Sequence, residues 1–200
     1  MTVVVDFLRH GETEAGDALL GRTDPPLCSA GREAVTREIR ARGWSAIVTS
    51  PLLRARETAA IAALHGGQTI EIDPAWREID FGDWDGQPRQ SLTGDARLAA
   101  FYASPDANPP PNGESMSEVR ARVAAALERI AARGQGPVLV VAHGGTIRMA
   151  LAVLLGLPLE RLWAIRIACL TRIRVGMGVD PAHGLWGEIV EITQPGERAP

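Results

Sequence analysis

The sequence has no lysine. All 21 basic residues are arginine, set against 24 acidic ones, and the formal net charge is −3. Without a basic excess or a basic block, no general attraction for nucleic acid or an anionic membrane is expected. The same absence lowers the weight of any single arginine, because each needs neighbours that give its guanidinium a task. Cysteine is scarce. Cys28 and Cys169 are the only two, too few for a disulfide scaffold, and a reduced, cytoplasmic setting is the expectation. Long apolar runs are also missing. VVVDFL (3–8) is too short for the apolar region of a signal peptide and leads straight into Arg9. MALAVLLGLPL (149–159) holds Gly156 and Pro158 and falls well short of the roughly 20 residues of a membrane span. No internal repeat and no long charge block is present.

What remains is an ordinary globular composition, 46% hydrophobic and 22% charged over 200 residues. That predicts one domain, residues 1–200, with an ample core. Apolar strands and amphipathic helices alternate along it. VVVDFL, AIVTS (46–50), TIEID (69–73) and PVLVVA (137–142) read as strands. Residues 29–42 read as a helix with Ser29 as N-cap, and 52–65 as a second helix that stops at Gly66-Gly67. Ser115 and Glu118 have the spacing of a capping box. Met116, Val119, Val123, Leu127 and Ile130 then form one apolar stripe, which reads as core. HGG (143–145) precedes the helix TIRMALAVLL. IACLTRIRV (167–175) and LWGEIVEIT (185–193) are the last strand candidates, and 80–113 reads as an irregular, cap-like insertion. The pattern predicts a three-layer α/β/α sandwich with a mostly parallel central sheet.

In such sheets ligands bind beyond the carboxyl ends of the strands. Arg9-His10, Thr49-Ser50 and His143-Gly144 each fall just past a strand end, so three distant segments point to one edge. Arginines beside helix-start amides favour an anion, most naturally a phosphate. A histidine set against phosphorus can attack it and carry the phosphoryl group. The leaving oxygen then needs an acid, and Glu78 in REIDFGDWDG is the candidate.

At this point RHGET (9–13), TSPLLRARETA (49–59), REIDFGDWDG (77–86) and VAHGGTIR (141–148) together resemble the successive signatures of the histidine phosphatase superfamily, the phosphoglycerate mutase-like branch 1 group. The resemblance implies a phosphoglycerate mutase-like fold and a metal-independent phosphomonoesterase without a cofactor. It implies that His10 is the phosphorylated nucleophile, that Arg9, Arg54 and His143 hold the phosphoryl group, and that Glu78 is the proton donor and later the base. It adds backbone at Gly144 and the loop glycine Gly21 to the phosphate site, with Arg22 beside it as a candidate for a substrate anion. One position departs from the pattern. Gly16 stands where the family often has an asparagine, which removes one phosphate-side contact and speaks against a mutase. With GRTDPPL (21–27), this resembles a subgroup of CobC-like α-ribazole phosphatases, which would act on α-ribazole 5′-phosphate in cobalamin assembly.

Two rivals stay open: a mutase-type phosphoryl transferase, and a non-catalytic domain that binds phosphorylated ligands. The expected partner is a small phosphate ester, with no nucleic acid and no membrane. LWGEIVEIT is compatible with an edge strand, so a homodimer stays open too. Asp80, Asp83 and Asp85 lack a histidine or cysteine at ligand spacing and are not read as a metal site. DFG (80–82) lacks the other kinase elements. Trp84 suits either the substrate mouth or the core, and His65 and His183 have no motif around them.

Overall fold

A computed structural model describes residues 2–39, 43–64, 66–134 and 136–196. Six strands form one sheet: β1 (Val3–Arg9), β2 (Ala46–Thr49), β3 (Ile70–Ile72), β4 (Val138–Ala142), β5 (Arg172–Asp180) and β6 (Gly184–Thr193), in the order β3-β2-β4-β1-β5-β6. The first four strands of that order run parallel, and β5 and β6 join antiparallel. The helices are α1 (Ser29–Glu38), α2 (Leu53–Ala63), α3 (Ala96–Ala103), α4 (Met116–Ala132) and α5 (Gly144–Leu155).

Side chains alternate across a strand, and β4 shows why its run is apolar throughout. Val138, Val140 and Ala142 pack with the stripe of α4 and with α5, while Leu139 and Val141 pack with α1 and α2. Both faces are covered, which makes the expected three layers. The α4 stripe is buried from Met116 to Ile130, and the capping box of Ser115 and Glu118 starts the helix. Among the described residues no helix is long and apolar enough to cross a membrane.

Four expectations need correction. Ser29 is the first helical residue rather than the cap; Cys28 has the extended backbone, and its Sγ accepts the Gly31 N–H at 3.3 Å. The helix expected to reach residue 42 closes at Glu38; residues 40–42, like His65, lie outside the described residues. The 80–113 segment is not irregular throughout. It contains α3 and short 3-10 turns at Gly82–Trp84 and Arg89–Leu92. Phe101 on α3 and Trp84 are buried against each other, and the Trp84 indole donates to Asp95 at 3.3 Å, so Trp84 belongs to the core. Finally, β5 starts at Arg172, five residues later than read. Leu170 takes a left-handed φ of 63°, which no strand residue can hold. The Leu170 N–H instead donates to the carbonyl of Arg9, the last residue of β1, at 3.1 Å.

Asp6 on β1 is fully buried and carries a dense polar network. It accepts from the Trp44 indole at 2.7 Å, Arg172 at 2.8 Å and the Arg174 fork at 2.9 and 2.8 Å. Burial by itself would raise its pKa, but the hydrogen bonds from Arg174 and Trp44 and the charge of Arg172 outweigh that and hold it below 3.8. A depressed carboxyl contributes stability above its unfolded pKa and loses it as pH falls through the folded one. Breaking one side of such a buried pair costs about 3–5 kcal/mol. Asp6→Asn should lower the urea unfolding free energy by an amount of that order at pH 7. A loss below about 1 kcal/mol would place the network among surface pairs.

Candidate active site

β2, β4 and β1 are adjacent and parallel, so their carboxyl ends share one edge. The register continues past them. The His10 N–H donates to the Ala142 carbonyl at 3.1 Å, and the Ser50 N–H donates to the Val141 carbonyl at 3.0 Å. His10, Ser50 and His143 are thereby set side by side by the sheet itself. The His10 and His143 ring centres are 5.0 Å apart.

His10 is 5% exposed. Its Nδ1 lies 2.7 Å from the Gly11 carbonyl oxygen. A carbonyl only accepts, so Nδ1 carries the proton and Nε2 keeps its lone pair. The turn that fixes this is tight. The Gly11 N–H donates to Thr58 Oγ1 at 3.1 Å, and a Cβ on Gly11 would meet Val35 Cγ2 at 2.8 Å. Burial, then the charges of Arg9 and Arg54, push the His10 pKa well below 6.5. It is therefore neutral at pH 7 and its Nε2 is a free nucleophile.

Arg9 presents an incomplete set of bonds. Nη1 donates to the Ile167 carbonyl at 2.7 Å, whereas Nε is buried with no partner among the described residues. Nε and Nη2 form the side edge of the guanidinium, the edge that grips two oxygens of a phosphate. An unsatisfied buried N–H is costly, and an anion in the adjoining cavity satisfies it.

Glu78 is 7% exposed and sits over the start of α5. Its carboxylate accepts the N–H groups of Ile79 at 2.9 Å, Gly145 at 3.0 Å and Thr146 at 3.2 Å. The approach requires glycine at 145, since a Cβ there would collide with Glu78 Oε1 and the Ile79 side chain.

Arg54 and His143 lie behind this wall. Both have no exposure. Arg54 Nε donates to His143 Nδ1 at 3.2 Å, Nη1 donates to the Thr23 carbonyl at 2.8 Å, and Nη2 donates to the Gly21 carbonyl at 3.1 Å. His143 Nδ1 is thus an acceptor, and Nε2–H donates to Ser50 Oγ at 2.8 Å. Burial, then the charge of Arg54, hold the His143 pKa well below 6.5.

The structure brings Arg9, His10, Glu78 and Gly144 to the wall of one cavity of about 670 Å³. It does not bring Gly21 or Arg22 there. The Gly21 N–H binds Asp85 at 2.7 Å, and Arg22 pairs with Asp80 at 3.1 Å. Asp80, Asp83 and Asp85 serve these loops, and no group of three or more metal-ligating side chains is found among the described residues. His183 pairs with Asp180 in the β5–β6 turn. Sequence reasoning missed the cavity's outer wall: Tyr102, Trp163, Arg89, Arg148 and Arg166. Arg148 ends the quoted VAHGGTIR segment, the one signal available.

The signature of the histidine phosphatase superfamily (branch 1) matches residues 5–179. The chain belongs to this superfamily. It is 36% identical over 173 residues to the glucosyl-3-phosphoglycerate phosphatase of Mycolicibacterium vanbaalenii, covering 80% of this chain and 76% of that one. It is 35% identical over 180 residues to the "Probable phosphoglycerate mutase GpmB" of Yersinia enterocolitica, covering 84% and 83%. The solved α-ribazole phosphatase of Shigella flexneri matches with a TM-score of 0.79 at 22% identity, over 96% of this chain and 97% of that one, a likeness of fold. The family and its phosphatase relative make this chain an enzyme of the phosphatase type.

Two measurements check the geometry. In an NMR titration the His10 ring should remain neutral, with its proton on Nδ1, at pH 6.5, where a free histidine is half protonated. A midpoint at or above 6.5 would contradict the buried environment. Because both site histidines are neutral when folded and protonate more readily when unfolded, stability is full above about pH 6.5 and falls as the solution is acidified. Gly145→Ala should displace Glu78 and lower kcat by about tenfold or more with the fold retained by circular dichroism. Unchanged kcat would remove the need for that close approach.

Proposed function

We propose that this enzyme hydrolyses small phosphate monoesters through a phosphohistidine on His10. The observation that carries the reading is the pairing of two neighbours: the unprotonated, oriented Nε2 of His10 and the unpaired side edge of Arg9. In the first step the Nε2 lone pair attacks phosphorus and the P–O ester bond breaks. Glu78 enters this step as the carboxylic acid, gives its proton to the leaving oxygen, and is left as the carboxylate. In the second step Glu78 takes a proton from water, the water oxygen attacks phosphorus, and the P–N bond breaks to release phosphate and restore His10. Arg9 and the α5 start at Gly144 hold the phosphoryl oxygens. Arg54 supplies charge from below. The His143 Nε2–H, which donates to Ser50 Oγ, is the further donor, turning from that hydroxyl to a phosphoryl oxygen.

The sequence relatives are named for a glucosyl-phosphoglycerate phosphatase and a phosphoglycerate mutase. The mutase reading differs only in the second step, where product oxygen replaces water. The α-ribazole reading draws on GRTDPPL and Gly16, and its named neighbour supports the fold alone. Gly16 takes a φ of 56° and lines the cavity with open space where a side chain would stand, which leaves the room unblocked for water or a leaving group.

The test is phosphate release in EDTA from p-nitrophenyl phosphate, 3-phosphoglycerate, glucosyl-3-phosphoglycerate and α-ribazole 5′-phosphate, with His10→Ala in parallel. Hydrolysis is expected in EDTA and should drop by about 10³-fold or more in His10→Ala. Rapid interconversion of phosphoglycerates with little phosphate release would favour the mutase. Binding of these esters without turnover would favour the non-catalytic domain.

A further inference from the structure

The phosphoryl cradle occupies only the floor of the 670 Å³ cavity. That volume suits a whole small metabolite. Its outer wall carries more positive charge than the phosphoryl step uses. Arg89 and Arg148 line it together with Arg9, and Arg148 lies within electrostatic reach of both other guanidiniums. Arg89 has a counter-charge in Asp17, 3.4 Å away at the exposed rim. Glu12 and Glu78 also line the cavity and the charge of Glu78 acts on Arg148, but among the described residues neither forms an ion pair with it: the Glu78 oxygens face the backbone N–H groups at the start of α5.

Arg148 is held in place. Nε donates to the Ile165 carbonyl at 3.2 Å, Nη1 donates to the Gly144 carbonyl at 3.0 Å, and the guanidinium carbon lies 5.4 Å from the centre of the Trp163 ring. Its third nitrogen, Nη2, makes no hydrogen bond among the described residues. The position is close to the phosphoryl floor. A Cβ placed on Gly144 would lie 3.0 Å from Arg148 Nη1 and 3.9 Å from Arg9 Nε. The two guanidiniums therefore flank one residue of the helix start. Like charges crowded in a half-buried cavity repel each other unless the ligand is anionic on both sides. One phosphoryl group takes the Arg9 edge and leaves Arg148 unanswered.

We propose that Arg148 is a specificity-determining residue whose Nη2 binds a second acidic group on the leaving-group side of the ester. The substrate class is then a small phosphate ester that bears a carboxylate or a second phosphate near the phosphorylated oxygen. Neutral sugar or aryl phosphates are poor members of that class. The inference rests on the phosphatase reading of the same cavity.

The test compares kcat/KM for two matched pairs: 3-phosphoglycerate against glycerol 3-phosphate for a carboxylate, and propane-1,3-diol bisphosphate against 3-hydroxypropyl phosphate for a second phosphate. p-Nitrophenyl phosphate serves as the reference ester. The wild type should favour the acid-bearing member of at least one pair by about tenfold or more. The pair that shows it identifies the acid. Arg148→Gln should remove most of that preference, chiefly through KM. Arg148→Lys, which keeps the charge and loses the planar fork, should keep a reduced preference, and thermal melting checks that both variants fold. Equal kcat/KM within both pairs, with p-nitrophenyl phosphate cleaved, overturns the subsite and leaves the phosphatase reading standing. A preference unchanged in both variants overturns the assignment to Arg148. No cleavage of any ester overturns both readings together.

Discussion

A guanidinium with no access to water lies under the two site histidines, and the rest of the site depends on it. Arg54 spends its hydrogens on His143 and on backbone carbonyls of the 20–23 loop. Its nearest carboxylate, Asp24, is 3.6 Å away and half-exposed. A buried charge needs this many partners to remain in place. The consequences reach both ways along the chain. Arg54 opens α2, so it ties that helix to the loop. It orients His143, and its field joins burial in keeping both imidazoles neutral. A neutral His10 is what makes a nucleophile available in a site otherwise built for anions.

The fold was legible because its signals are local. Strand runs, the Ser115 capping box and the helix after HGG each announce themselves within a few residues. The floor of the site was legible for the same reason. Arg9-His10 and His143-Gly144 stand immediately past strand ends, and parallel neighbours align such ends. What stayed hidden depends on contacts between distant segments. Leu170 leaves the strand conformation where the chain hydrogen-bonds to Arg9, and no pattern in IACLTRIRV shows that. Cys28 and Ser29 both offer a capping atom, and only the backbone angles choose between them. Trp84 turned inward because Phe101, in a segment read as irregular, folds into a helix against it. Arg148 drew no attention in a chain whose every cation is arginine. Its meaning comes from the Gly144 and Ile165 carbonyls that hold it.

The site thus has two layers with different origins. The floor is made by the sheet, where register fixes His10, Ser50 and His143 against one another. The outer wall is made by connecting segments, with Tyr102 from α3 and Trp163 from the turn at Leu159–Ala164 in edge-to-face contact at 4.9 Å. On the proposed reading, chemistry sits on the rigid layer and substrate choice on the connections, a common division in α/β enzymes. It also accounts for relatives of one fold being named for different phosphate esters.

The central claim is that the phosphoryl group passes through His10. Enzyme mixed with a turned-over ester, quenched in alkali and mapped by peptide mass spectrometry, tests it directly. The account predicts a phosphate on the His10 peptide that is stable in base and lost in acid, and absent from His10→Ala. Steady turnover with no phosphorylated His10, or with the phosphate on another residue, would contradict it.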